Sequence, residues 1–202
     1  MLLFIILCAG TSSRMGGANK LLLPLGDKMV LEHTLSNILA SGIAQVCAVT
    51  GHEQEKITAV LHNYEVAVVY NPDYQTGMTT SIQAGIKAAG MNATGYFICP
   101  GDMPFLSASL IQQMIRLFEA QEGKACIIAP AFQGKRGHPV LFSLHFRDAI
   151  LSHRDPDGCK AIIQQHWQQL LTFEAGDDGV IRDIDTPEAY AAAIEKIKTN
   201  GR

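Results

Sequence analysis

Two cations and a few carboxylates are spaced in this chain as if to handle phosphate. Arg14 and Lys20 sit in the stretch Gly10-Thr11-Ser12-Ser13-Arg14-Met15-Gly16-Gly17-Ala18-Asn19-Lys20, just after the apolar run 2–7. Glycine lets a backbone approach an anion closely, and successive amides then converge on it. A guanidinium adds a planar fork for phosphate oxygens, and an ammonium on a long stem adds a movable charge. The loop therefore suits the triphosphate of a nucleotide. Two familiar glycine loops do not describe it. Gly10, Gly16 and Gly17 do not spell GxGxxG, and the second strand ends in Thr50-Gly51-His52 without a ribose-binding acid. Leu21 follows Lys20, so the loop is not GxxxxGK[ST] either.

Asp102 follows a second apolar run in Pro100-Gly101-Asp102-Met103-Pro104. A carboxylate at that place can hold a hard cation such as Mg²⁺ beside phosphates, and Gly101 permits close approach. Asp183 and Asp185 alternate, so in an extended segment they share a face, where they repel unless a cation or a helix cap resolves them. Asn71, Gly77, Thr80 and Ser81 lie on a loop that runs into a helix start. Small polar groups there offer donors and acceptors with little bulk.

The elements that must position these residues alternate along the chain. Apolar runs of strand type occur at 2–7, 45–50, 66–70, 96–99, 126–132 and 138–142, with weaker ones at 170–174 and 180–185. Segments with apolar positions three and four apart occupy 28–41, 53–63, 78–90, 107–121, 145–152, 158–168 and 187–198. Ser107 and Thr186-Pro187-Glu188 supply helix starts. Such alternation predicts an α/β fold, a mostly parallel sheet between two helical layers. Ligands in such sheets bind beyond the carboxyl ends of the strands, where the residues above fall. The 202 residues suit one domain spanning 1–202, with a nucleotide-binding N-terminal part and a C-terminal elaboration.

Composition narrows the class. With 48% apolar and 17% charged residues a packed core is expected. A net charge of −3 and the lack of any Lys/Arg block argue against a nucleic-acid partner. The opening run is too short to span a bilayer and lacks a basic leader, so a cytoplasmic protein without membrane association is expected. Five cysteines without CxxC spacing read as buried thiols in a reducing compartment.

The ordered motifs carry a resemblance. Ala9-Gly10-Thr11-Ser12-Ser13-Arg14-Met15-Gly16, then Lys20 and Leu23-Pro24, resembles LAAGxSxRMGxxKxLLP, the signature of MobA-like nucleotidyltransferases. The likeness continues at 71–82, 100–106, 134–142 and 182–190, and is strongest to the branch that cytidylylates the molybdenum cofactor. Cys8 departs from the usual Ala and is expected to point into the core.

The resemblance implies a Rossmann-like nucleotidyltransferase fold and CMP transfer from CTP to the terminal phosphate of molybdopterin, releasing pyrophosphate. It implies catalytic roles for Arg14, Lys20 and Asp102, and Mg²⁺ as cofactor. Ala9, Gly10, Thr11, Asn71, Gly77, Thr80, Ser81 and Gly101 would line the nucleotide with Arg14 and Lys20. The segment with Asp183 and Asp185 would carry a metal ligand. Asp183 is assigned to it, with Asp185 in reserve. Arg136 and His138 would face the acceptor. His138 is not needed as a base, because the acceptor phosphate is already an anion. Lys20 is expected to have no core contact. Ala9, where guanylyl members usually carry Gly, favours CTP over GTP. Alternatives stay open: another phosphorylated acceptor (a sugar phosphate or methylerythritol phosphate), GTP as donor, or a non-catalytic accessory that serves a molybdenum hydroxylase.

Overall fold

The computed structural model describes residues 1–90 and 92–200. Its first strand, β1 (Leu2–Cys8), shows why the fold forms. Phe4, Ile6 and Cys8 enter one core, and Leu3 and Ile5 enter another on the opposite face. A strand buried on both faces reads as a continuous apolar run, as expected for the centre of a parallel sheet. β4 (Gln45–Thr50) and β6 (Gly95–Pro100) flank it in parallel, and β5 (Ala67–Tyr70) pairs with β4. The remaining members are β7 (Ile127–Phe132), β9 (Val140–Ser143) and β10 (Leu170–Glu174). The order is β10-β7-β9-β6-β1-β4-β5, and β9 alone on that path runs antiparallel to both neighbours. The short β8 (Lys135–Arg136) folds back on β7.

Helices cover both faces, giving the expected three layers. The core under α1 (Val30–Ala40), α2 (Gln54–Leu61) and α4 (Ala108–Glu119) includes Leu35, Ile57 and Ile111, with Phe4 and Phe97 stacked at 5.0 Å. The opposite core takes Ile82 and Ile86 from α3 (Met78–Ala88), Ile150 from α5 (Arg147–Ser152) and Ile163 from α6 (Lys160–Gln165). Each such side chain taken from water contributes about 1.5–3 kcal/mol. A third, small cluster packs α7 (Pro187–Asn200) on the hairpin of β2 (Pro24–Leu25) and β3 (Lys28–Met29) through Leu25, Val30, Ile184 and Ala193. The expected caps are present: Ser107 Oγ accepts from Leu110 N at 3.3 Å, and Thr186 Oγ1 from Ala189 N at 3.2 Å.

One expected strand is absent. Residues 180–185 form no ladder: Val180 closes a short 3₁₀ turn, Asp178–Val180, and 181–185 are irregular. Their backbone bonds go singly to different elements: His138 N donates to Val180 O at 2.7 Å, and Ile184 N to Asp102 O at 3.1 Å. The apolar alternation is real, but Val180 and Ile184 bury into two different clusters and not against one neighbouring strand. All five cysteines are buried and unpaired, Cys8 included.

The chain runs outward from β1 to β4 and β5, then returns to β6 on the other side of β1. That reversal opens a crevice where the ends of β1 and β6 lie side by side, with Leu7 opposite Pro100. Among the described residues no helix is long and apolar enough to cross a membrane.

Candidate active site

A cavity of about 280 Å³ fills this crevice. Ala9, Gly10 and Thr11 after β1, Pro100 at the end of β6 and Asp102 beyond it, Lys20, and Gly77 and Ser81 at the start of α3 all reach its wall. Gly101 makes the turn to Asp102 possible. Its N–H donates to Leu7 O at 3.0 Å, and a Cβ there would lie 3.1 Å from Cys8 Sγ. Gly77 sits at φ +132°, and a Cβ on it would come within 2.6 Å of Pro156.

Asp102, Asp183 and Asp185 each bring a carboxylate oxygen within 4.8 Å of the others. Lys20 Nζ donates to both Asp102 Oδ2 and Asp185 Oδ1, and Arg14 donates to Asp185 Oδ2 at 2.7 Å. This overturns the expectation that Lys20 has no core contact, because its ammonium is paired with the buried Asp102. It neutralises a carboxylate whose side chain is only 3% exposed. Burial raises Asp102 against the pull of Lys20. Burial opposes charge on Lys20 too, but Asp102 and Asp185 outweigh it and hold the ammonium above its ordinary value. Asp185 is held below the carboxylate range: Lys20 and Arg14 overcome its partial burial. Asp183 differs. Partial desolvation, then the charges of Asp102 and Asp185, push it up, and among the described residues it has no ion-pair partner. A third carboxylate held without a cation beside two others is the donor set a divalent ion fits.

Asn71 stands behind the cavity. It is 3% exposed; its Nδ2 donates to Thr80 Oγ1 and Ser81 Oγ, both at 2.9 Å, and its Oδ1 accepts from Asp73 N at 3.0 Å. It thus sets the shape of the loop and aims Ser81. Of the other residues expected around a nucleotide, Arg14, Thr80 and Gly101 also lie off the cavity wall, while Tyr74, Gln75 and Met78 form part of it. Tyr74 and Gln75 lie within the quoted 71–82 stretch, but no feature of their types singled them out.

Met78 also borders a second cavity, of about 240 Å³. Arg136 and His138 line it, as does Lys160 at the start of α6. Burial lowers the His138 pKa, which favours a neutral ring. Ile82, Ile98, Val140 and Phe142 supply apolar wall. Lys160 escaped the sequence reading because it lies in no motif and reaches the cavity only when α6 packs beside α3 and β9. The loop before it is anchored to the first turn of α3: Thr79 Oγ1 donates to Asp155 O and accepts from Gly158 N at 3.1 Å.

Comparison with known proteins is consistent with this geometry. A family model described as the MobA-like NTP transferase domain matches residues 4–170. The molybdenum cofactor cytidylyltransferase of Escherichia coli K12 is 29% identical over 193 residues, 95% of each chain. A nucleotidyl transferase from Methanothermobacter superposes with a TM-score of 0.85 at 21% identity, covering 99% of both chains. A Mycobacterium tuberculosis H37Rv protein solved as a complex with manganese superposes at 0.73 with 22% identity, covering 96% of this chain and 98% of that one.

Proposed function

Since this chain belongs to the MobA-like NTP transferase family and is a nucleotidyltransferase, we propose that it transfers CMP from CTP to the terminal phosphate of molybdopterin, with Mg²⁺ held by Asp102 and Asp183. The observation that carries this reading is the meeting of three carboxylates with Lys20 and Arg14 at the crevice between β1 and β6. An acceptor phosphate oxygen attacks the α-phosphorus in line. The new P–O bond forms as the bond to the β-phosphate oxygen breaks, and pyrophosphate leaves. No side chain need remove a proton, because the nucleophile is already anionic. Positioning and charge neutralisation do the work. The metal, when bound, supplies positive charge against the phosphate oxygens. Lys20 balances the acids in the free chain, and its flexible stem lets the ammonium turn to the leaving pyrophosphate together with Arg14. Asp183, which has no cation of its own, suits the second ligand position better than Asp185, which has two.

Donor and acceptor readings draw on the two cavities. The Ala9 methyl lies on the wall of the first, next to Gly51, where it favours a pyrimidine. The second cavity has cations at Arg136 and Lys160 and apolar walls, and among its described residues Asp157 and His138 are the other polar side chains. A phosphorylated flat heterocycle matches that lining. A polyhydroxylated sugar phosphate would find Asp157 and His138 for its hydroxyls, and each buried hydroxyl beyond those would go unpaired at roughly 1–3 kcal/mol. The decisive experiment is pyrophosphate release with each of the four NTPs, with and without molybdopterin. CTP with molybdopterin should give the largest signal. Equal release with a sugar phosphate would reject the acceptor, and faster release with GTP would reject the cytidylyl assignment.

A further inference from the structure

Asp183 and Asp185 lie on a segment without ladder bonds, so something other than the sheet must hold them against Asp102. Behind them, Asp178 accepts from Lys196 Nζ at 2.7 Å and from Arg182 through Nε at 3.0 Å and a second guanidinium nitrogen. Both cations also lie over the Phe105 ring, Lys196 at 4.7 Å and Arg182 at 5.8 Å from its centroid. Phe105 is three residues beyond Asp102 on the same turn. Lys196 comes from α7, which is seated on the β2–β3 hairpin. Asp178, Arg182, Lys196 and Phe105 thus join the turn of one acid to the segment of the other two.

The backbone around this group leaves no slack. A Cβ on Gly179 would fall on Phe105 O, and one on Gly137 would fall on Val180 O. Val180 is 2% exposed, and its carbonyl accepts from His138 N at 2.7 Å. The segment is therefore wedged between the turn that carries Asp102 and the strand end that carries Arg136 and His138. Ile184 N then bonds to the carbonyl of Asp102 itself.

We propose that the Asp178–Lys196–Phe105 clamp is a positioning device for the divalent-cation site: it sets the spacing of Asp183 and Asp185 from Asp102 and thereby the affinity for the ion. None of its members belongs to the cluster of three acids itself. The inference rests on the reading above that these aspartates hold a metal. Partners that orient ligands from behind typically change metal affinity by about 10–100-fold when removed. A clamp acting through a backbone segment belongs at the low end of that range.

The test is Mn²⁺ binding followed by the loss of the free-ion paramagnetic signal, with and without CTP and without acceptor, so that no turnover is needed. Lys196→Met should weaken Mn²⁺ binding by about tenfold while the melting temperature changes little. Lys196→Arg should restore binding. Lys198→Met, on the same helix and paired among the described residues with Glu195, should bind Mn²⁺ as the unaltered protein does. Should Lys196→Met fail to fold, Arg182→Gln removes the other donors to Asp178 and carries the same expectation. Unchanged Mn²⁺ affinity in a folded clamp variant overturns the proposal. Unchanged affinity in Asp102→Asn and Asp183→Asn instead overturns the metal reading beneath it.

Discussion

The two cavities share Met78 on their walls and are built in opposite ways. The first is made largely by backbone turns at the ends of two parallel strands, with its charges in short motifs that follow β1 and β6. The second is made by side chains from β6, β9, α3 and α6, which are distant in sequence. A turn with close backbone approach suits the part of a nucleotide that never varies, its phosphates. A wall of side chains suits the part that does vary, the body of the acceptor. On this view, changes in the first cavity should remove the reaction, and changes in the second should alter which acceptor it serves.

The sharpest way to break that contrast is Asp102→Asn. Turnover should fall at least ~100-fold at saturating Mg²⁺, the scale of a lost preorganised electrostatic element. The fold should survive, since Lys20 keeps Asp185 as a partner. Near-normal turnover from the folded variant would remove the acid from the chemistry.

Lys20→Ala should also lose activity, by about 100-fold, and here the structure adds a stability cost. Removing one partner of a buried pair costs about 3–5 kcal/mol, less whatever Asp102 recovers by taking up a proton. Adding Asp102→Asn to Lys20→Ala should bring the melting temperature back without restoring turnover. A double variant no more stable than Lys20→Ala would mean that the ion pair is not what the lysine contributes to the fold.

The second cavity predicts a different pattern. Lys160→Ala should raise KM for the acceptor about tenfold, the loss of one charge-assisted hydrogen bond, and leave KM for CTP unchanged. Steady-state kinetics with each substrate varied in turn decides this. A matching rise in KM for CTP would merge the two cavities into one site. Comparable in size is Ala9→Gly, which should narrow the ratio of kcat/KM for CTP over GTP by roughly tenfold, the worth of about one methyl group. An unchanged ratio would remove Ala9 from base selection.

The smallest effect concerns the clamp behind both cavities. Lys196, with help from Arg182, holds Asp178 below its ordinary carboxylate value of 3.8. A depressed carboxylate contributes stability that is present above its unfolded value and lost as pH falls through the folded one. The melting temperature should therefore drop on acidification below about pH 4, and less steeply in Lys196→Met. Superimposable acid profiles would show that the pair adds nothing to stability.

Much of the first cavity was legible before folding. Ala9, Gly10, Thr11, Lys20, Gly77 and Ser81 are expected around the nucleotide and Asp102 at its metal, and all of them reach the wall of one cavity. They were legible because backbone turns after strands are local, and the types they require, small residues and isolated charges, show in a short window. Asn71 was legible as part of the loop but not as the residue that holds it from behind, since only its three hydrogen bonds reveal that. The reading of 180–185 failed because alternation of apolar residues reports burial and not the neighbour that provides it.

The amino-acid sequence by itself determined the layered α/β architecture, since a chain whose apolar period switches repeatedly between strand and helix spacing can bury its surfaces only with helices on both sides of a sheet. It also determined which acids and cations follow the central strands. The tertiary structure alone decided that Lys20 and Arg14 leave Asp183 without an ion-pair partner among the described residues, that Lys160 joins Arg136 at the second cavity, and that Lys196 braces the acidic segment from behind. The reason is physical: these are pairings across long stretches of chain, and their strength depends on distance and on exclusion of water, quantities that exist only once the layers have packed.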